Sequence, residues 1–304
     1  MGIRHPYWAR REIARLDPAS DARRIAHLWF EVRYGDPIFV HPLFALAFAR
    51  QVAVPAIARV LYRDGKGIIL SDTAKRNDDT LMFFGLLFRH GNSPEGRKIV
   101  DRIVRIHSRF PISNDLNLYT LSTLACLPRR IALQFMGKEL LTTTEASALY
   151  RFWVEIGQMM GIKDIPASPD LMLKWMLDYE ASEYRHTRDG REVTLALARE
   201  FAQRWFPNSL QAFGERLFYA AFDERLRETH RVPAPSAFQT GLIRTGIRAF
   251  YGARQLLPDP PERDLVTMFG HRYGTNPSYE AIGPQGAEQR VPSDGPRPTG
   301  SDRA

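Results

Sequence analysis

The sequence predicts an all-α protein, a single multi-helix domain of roughly ten helices. Three observations carry that reading. Apolar residues recur at three- and four-residue spacing along most of the chain, which is the signature of helices with one buried face. Runs of alternating Val, Ile and Thr with Asn-Gly or Asp-Gly turns are missing, and Gly67-Ile68-Ile69-Leu70 is the one short strand candidate. No segment repeats, and no interior stretch is rich enough in Gly, Pro or Ser to mark a second domain.

The elements follow from local signals. Asp17 or Ser20 can cap a first helix reaching about Tyr34, which Asp36-Pro37 breaks. Phe44, Leu46, Phe48 and Val52 lie in an apolar stretch, Phe39 to Tyr62, read as a buried core helix with Pro55 at a kink or a new first turn. Ser71 or Asp72 caps a helix to about Phe88, and Ser93-Pro94-Glu95 opens another with Pro in the first turn. Asn114 or Asp115 starts an apolar segment to Leu127. Thr142 with Glu145 three residues on reads as a capping box for a helix through Trp153 to Met160. Ser168-Pro169-Asp170 opens a helix to about His186. Two more are expected over Thr194 to Trp205 and Ser209 to Thr229, and a last one over Gly241 to Leu256. From Gly283 onward the chain is rich in Gly and Pro and lacks aromatic residues, so residues 276–304 are expected to be a disordered tail.

Composition narrows the function. The 304 residues carry a formal charge of +8, with 44% apolar and 25% charged residues, which excludes fibrous and wholly disordered chains. Arginines outnumber lysines heavily but are scattered, so no block of basic residues points to a nucleic-acid partner. The one cysteine, Cys126, lies in an apolar run and allows neither a disulfide nor a cysteine metal site. No apolar run follows the N-terminal residues and no uninterrupted apolar window is long enough to span a bilayer. A cytoplasmic protein is therefore expected. The alternative is peripheral membrane contact, with the Phe39 to Tyr62 stretch as the surface-lying candidate.

Three groups could carry chemistry. His107 edges the apolar stripe of the Gly96 to Phe110 segment, where it is either a core histidine satisfied by a carbonyl or a ligand to a metal such as haem iron. Arg76 and Thr80 lie four residues apart on one helix face, suited to a carboxylate and a ligand hydrogen bond, or simply to a first helical turn. Glu183 and His186, preceded by Glu180, have di-iron spacing but no second copy, which favours a solvated surface. Zinc, nucleophile-elbow, P-loop and dinucleotide fingerprints are absent.

One stretch is more specific. Arg105-Ile106-His107-Ser108-Arg109-Phe110-Pro111-Ile112-Ser113-Asn114-Asp115, followed by Leu118-Tyr119-Thr120-Leu121, resembles the MpaB/latex-clearing-protein (rubber oxygenase) family. Lys75 to Thr80, Leu141-Thr142 with Glu145-Ala146, Phe152-Trp153, Ile156 to Pro166 and Tyr179-Glu180 match it in the same order. The resemblance implies an all-α oxygenase domain, here residues 1–275, with a b-type haem between helices. It also implies dioxygen and a small apolar, isoprenoid-like substrate whose carbon–carbon double bonds are cleaved. Carried over by motif, His107 would be the proximal iron ligand, and Arg76 would bind a propionate or act on the distal side. Thr80 and Asn114 would help position reacting groups. Asp79 stands where the rubber oxygenases have Lys, and Gly137-Lys138 where the MpaB branch often has Trp-Arg. The membrane anchor of the fungal proteins has no counterpart. A haem-binding sensor or carrier without turnover, and a cofactor-free helical membrane-surface protein, are the rival readings.

Overall fold

The computed structural model of the chain describes residues 5–274 and 279–281. Fifteen α-helices are formed among these residues, with no strand. In chain order they are α1 (Trp8–Ile13), α2 (Ala22–His27), α3 (Pro37–Gln51), α4 (Pro55–Tyr62), α5 (Ile68–Ser71), α6 (Thr73–His90), α7 (Pro94–His107) and α8 (Asn114–Met136). They continue with α9 (Thr143–Met159), α10 (Pro169–Glu183), α11 (Arg188–Trp205), α12 (Gln211–Tyr219), α13 (Glu224–His230), α14 (Ala237–Leu256) and α15 (Leu265–Phe269). The excess over ten comes from short pieces. The single first helix expected to Tyr34 is α2 running into a π-helical turn, Leu28–Arg33, and α1 precedes it.

Four caps sit where the sequence placed them, whereas α2 follows Asp21 rather than Asp17 or Ser20 and α14 starts behind Ser236 rather than at Gly241. The Asp72 side chain accepts from Lys75 N, Ser93 from Gly96 N and Ser168 from Leu171 N, while Thr142 and Glu145 complete a capping box. Each satisfies a backbone N–H that the first turn leaves without an intrahelical partner. Four further expectations need correction. Gly67–Leu70 is no strand: Ile69 is buried as part of the single-turn helix α5. Phe39 to Tyr62 is not one helix, because α3 and the Pro55–Gly65 piece meet at a 112° bend. The apolar segment from Asn114 does not stop at Leu127. It continues through Pro128, which cannot donate to the Leu124 carbonyl, because Ile131, Ala132 and Phe135 are buried on the far side. The segment from Ser209 to Thr229 is α12 and α13 with a break between them.

Helix α3 is the centre of the molecule. It is buried at every residue from Leu43 to Gln51, as a helix apolar on all sides must be. Around it pack α6, α8 and α11, with α9 and α10 against α8, α4 and α12 against α11, and α15 against α6. Close approach of α15 requires Gly85: a Cβ there would lie 2.6 Å from the Val266 backbone nitrogen. No single helix among the described residues is long and apolar enough to cross a membrane.

One buried ionic cluster ties the centre to the rim. Arg50 reaches Glu180 at 3.3 Å and Asp223 at 2.6 Å, and Arg130 reaches the same two carboxylates at 2.6 and 2.7 Å. Glu180 is therefore buried, which corrects its reading as part of a solvated surface. Glu183 and His186 are exposed, and α10 ends between them, so they do not share a helix. Of the expected tail, Tyr279–Ala281 forms a short 3₁₀ turn, with the Glu280 carbonyl accepting from Arg102. The rest of residues 276–304 lies outside the described residues.

Candidate active site

Three helices bring polar groups to one place. On α6, Arg76, Thr80, Phe84 and Phe88 follow at four-residue steps and share a face. His107 is the last residue of α7, and Asn117 stands one turn into α8. The His107 ring is enclosed and its Nδ1 is buried without a hydrogen-bond partner. Burial pushes the imidazole pKa below its usual value. A hydrogen bond with the Asn117 side chain opposes the shift, and the Arg76 charge adds to it. His107 is therefore neutral at pH 7, the form that can donate a lone pair.

Arg76 is the unusual cation. Its guanidinium sits 5.3 Å from the Phe48 ring centroid and donates to Thr80 Oγ1, whose own proton goes to the Arg76 carbonyl at 3.0 Å. No carboxylate lies within ion-pair distance of it among the described residues. Burial lowers its pKa, and Asp79 only partly offsets this. Asp79 is engaged elsewhere, accepting from Lys75 Nζ at 2.6 Å and from the Tyr273 hydroxyl. A half-buried cation with no carboxylate beside it carries a desolvation cost that the described side chains do not fully offset.

Further along the same face of α6, Phe84 and Phe88 help to enclose a narrow apolar cavity of about 30 Å³, which His107, Arg76, Thr80 and Asn117 do not line. Phe44, Phe84, Leu124, Leu127, Pro128 and Trp153 form much of its wall. Phe48, under Arg76, packs on Phe44, Phe44 on Phe84, and Phe84 edge-on to Trp153, with ring centroids 5.5 to 5.9 Å apart. At that volume it has room for only one or two water-sized molecules. Around it the helices are irregular: Phe30 comes from the π-helical turn, and α3 and α8 carry Pro42 and Pro128. Such departures from helical regularity recur at functional sites.

The sequence candidates separate here. His107, Arg76 and Thr80 converge, whereas Asn114 does not face them with a free amide. Its Oδ1 accepts from Lys163 N at 2.8 Å and its Nδ2 donates to Lys163 O at 3.1 Å, which pins the loop after α9. Asn117, one turn on, is the residue that meets His107. An asparagine in the interior of an otherwise apolar helix, where its propensity is poor, was the signal available for it. A second buried polar group beside α6 was also not anticipated. His41 lies 2.8 Å from Glu200 and receives the Trp205 indole N–H at 3.2 Å, while Arg204 joins Glu200 to Asp78 and Asn77 donates to Glu200. Burial would raise the Glu200 carboxyl, but His41 and Arg204 hold it below its usual value. Cys126 is buried as expected, and burial pushes its thiol up to about 12.

Among the described residues no three His, Cys, Asp or Glu side chains gather where a bare metal ion could be held. Residues 32–253 match the family described as ER-bound oxygenase mpaB/B'/Rubber oxygenase, catalytic domain. The chain belongs to this family. No curated protein matches it. Within this oxygenase family the matched span runs from the π-helical turn to the last turns of α14, and so contains His107, Arg76, Thr80, Asn117 and all of the cavity wall but Phe30. Membership of an oxygenase family implies O2 as a reactant.

Proposed function

We propose that the chain is a haem b-dependent oxygenase acting with O2 on an apolar, isoprenoid-like substrate. The observation that carries the reading is the pair of unmet groups near each other on α6 and α7: the buried Nδ1 of His107 and the Arg76 guanidinium without a carboxylate. One needs an electron-pair acceptor and the other an anion. Haem offers both, in its iron and its propionates. When bound, it supplies the dioxygen chemistry that no side chain provides.

The chain's own residues would do the following. His107 would hold the group, kept neutral by burial and by the Arg76 charge, with Asn117 fixing the orientation of its ring. Arg76 would take a carboxylate, and Thr80, bonded to it, would hold the guanidinium in place. Phe44, Phe84, Leu127 and Trp153 would form an apolar wall that excludes water. Asp79, tied to Lys75 and Tyr273, cannot do what a lysine at that position would.

The test is an absorption spectrum with haem counted per chain, for wild type and His107→Ala. Wild type should show a Soret band with about one haem per chain, and His107→Ala should lose it while keeping its helical circular dichroism. O2 uptake with an isoprenoid olefin then separates an oxygenase from a carrier. A colourless wild type that takes up no added haemin, or a His107→Ala protein with an unchanged spectrum, overturns the assignment.

A further inference from the structure

Helix α14 is 20 residues long, yet only Gln239 and Tyr251 of it are buried. Ile243, Ile247 and Phe250 pack partly against the core from its inner face. The outer face should then be charged, as on an ordinary surface helix. Instead Phe238, Leu242, Thr245, Ala249 and Leu256, spaced to share one side of the helix, are all exposed. Phe238 is 70% exposed, Leu242 41%, Leu256 78% and the following Leu257 50%. From Arg231 to Leu257 the sequence contains four arginines, Arg231, Arg244, Arg248 and Arg254, and no acidic residue.

The helix is held firmly in this orientation. Arg10 donates to the carbonyls of Arg254, Gln255 and Leu257, satisfying the C-terminal turn, and Arg248 Nε donates to the Phe135 carbonyl at the end of α8. The apolar outer face is thus a fixed feature of the surface.

We infer that α14 is an interfacial helix that seats the protein on an anionic lipid bilayer, its Phe238–Leu242–Leu256 face in the headgroup boundary. Arg248 and Arg254 lean on Phe135 and Phe250, while the exposed Arg231 and Arg244 put basic charge without acid on this segment, the pattern such surfaces recognise. A second copy fits less well, because a two-fold contact would set arginine against arginine. Residues 1–4, 275–278 and 282–304 hold only Met1, Ile3, Ile282 and Val291 as large apolar residues, too few to cover the stripe. The position also makes sense for an apolar substrate. Phe250 of α14 stacks at 4.4 Å on Phe39 of α3, beside the cavity-lining Val40. The surface-lying candidate suggested by sequence, Phe39 to Tyr62, is instead largely core. The inference does not depend on the cofactor.

The experiment is vesicle flotation of the full chain with phosphatidylcholine alone and with phosphatidylcholine containing phosphatidylserine, comparing wild type with Phe238→Asp/Leu242→Asp and with Arg244→Glu. Wild type should float with the anionic vesicles and less so as salt rises. The double variant should lose at least about tenfold in partition with unchanged circular dichroism, since both side chains are exposed. Arg244→Glu should reduce the preference for phosphatidylserine. Failure of wild type to bind anionic vesicles at low salt, or equal binding by the double variant, overturns the inference. So does a wild-type dimer that the double variant splits without any vesicle binding, which would assign the face to a second copy.

Discussion

Replacing Arg76 by Met should stabilise the ligand-free protein while weakening its hold on an anionic group. The guanidinium has no carboxylate partner among the described residues, and burial lowers its pKa. The penalty for a buried ion is several kcal/mol. Because the residue keeps some contact with solvent, about 3 kcal/mol is a reasonable figure at the low end of that range. Against this stand the charged hydrogen bond to Thr80, worth about 1.5 kcal/mol, and the contact with Phe48, worth about 0.5 kcal/mol. Thr80 is not orphaned by the change, since its hydroxyl still donates to the backbone carbonyl of residue 76. Methionine also keeps the packing of the aliphatic stem. The balance is a gain of about 1 kcal/mol, or a rise of about 1.5 °C in Tm for a chain of this length. Calorimetry on cofactor-free wild type and variant reads it, with haemin titration in parallel, where a loss of about tenfold or more is expected from one charge-assisted hydrogen bond. A paired structural arginine would behave oppositely and cost about 3–5 kcal/mol. A variant that loses more than about 1 kcal/mol, or that binds haemin as wild type does, refutes the reasoning.

The central ionic cluster gives the contrasting case. Glu180→Gln leaves the fully buried Arg50 with Asp223 as its one remaining carboxylate, and urea unfolding should show a loss of about 3 kcal/mol; a loss under about 1 kcal/mol would mean the cluster is solvated. Acid sensitivity should come partly from His230, whose ring Nε2–H donates to the Ala49 carbonyl and whose pKa burial lowers to about 4. A histidine with a depressed folded value contributes its full stability above pH 6.5 and loses it as pH falls to about 4, which is about 3 kcal/mol over that window. Asp223, held down to about 2, acts in the same direction below pH 4. His230→Gln should flatten the stability profile between pH 6.5 and 4, and an unchanged slope would remove His230 from the explanation.

Much of the helical plan was legible because its signals are local. Asp72, Ser93, Thr142 and Ser168 each bond to a backbone group three residues away, so four residues of sequence contain the whole interaction. The ordered motifs around His107 pointed to the oxygenase family for the same reason, as short stretches that keep their spacing. Of the site, Arg76 and Thr80 could be paired from helical geometry, and His107 could be singled out at the edge of an apolar stripe.

What the tertiary structure decided concerns groups far apart in the chain, whose environment no local pattern contains. Glu180 reads as one acid among many until Arg50 and Arg130 enclose it. Pro128 reads as a helix end until the burial of Ile131 and Phe135 outweighs the lost hydrogen bond. Arg76 becomes an unpaired half-buried cation only because α6 turns it over Phe48 while Asp79 turns to Lys75 and Tyr273. Asn117 rather than Asn114 meets His107 because the loop after α9 claims the latter. The outer face of α14 is anomalous only once it is known which side faces inward. Local hydrogen bonds and periodicity are written in neighbouring residues, whereas desolvation and charge pairing depend on what the fold places against them.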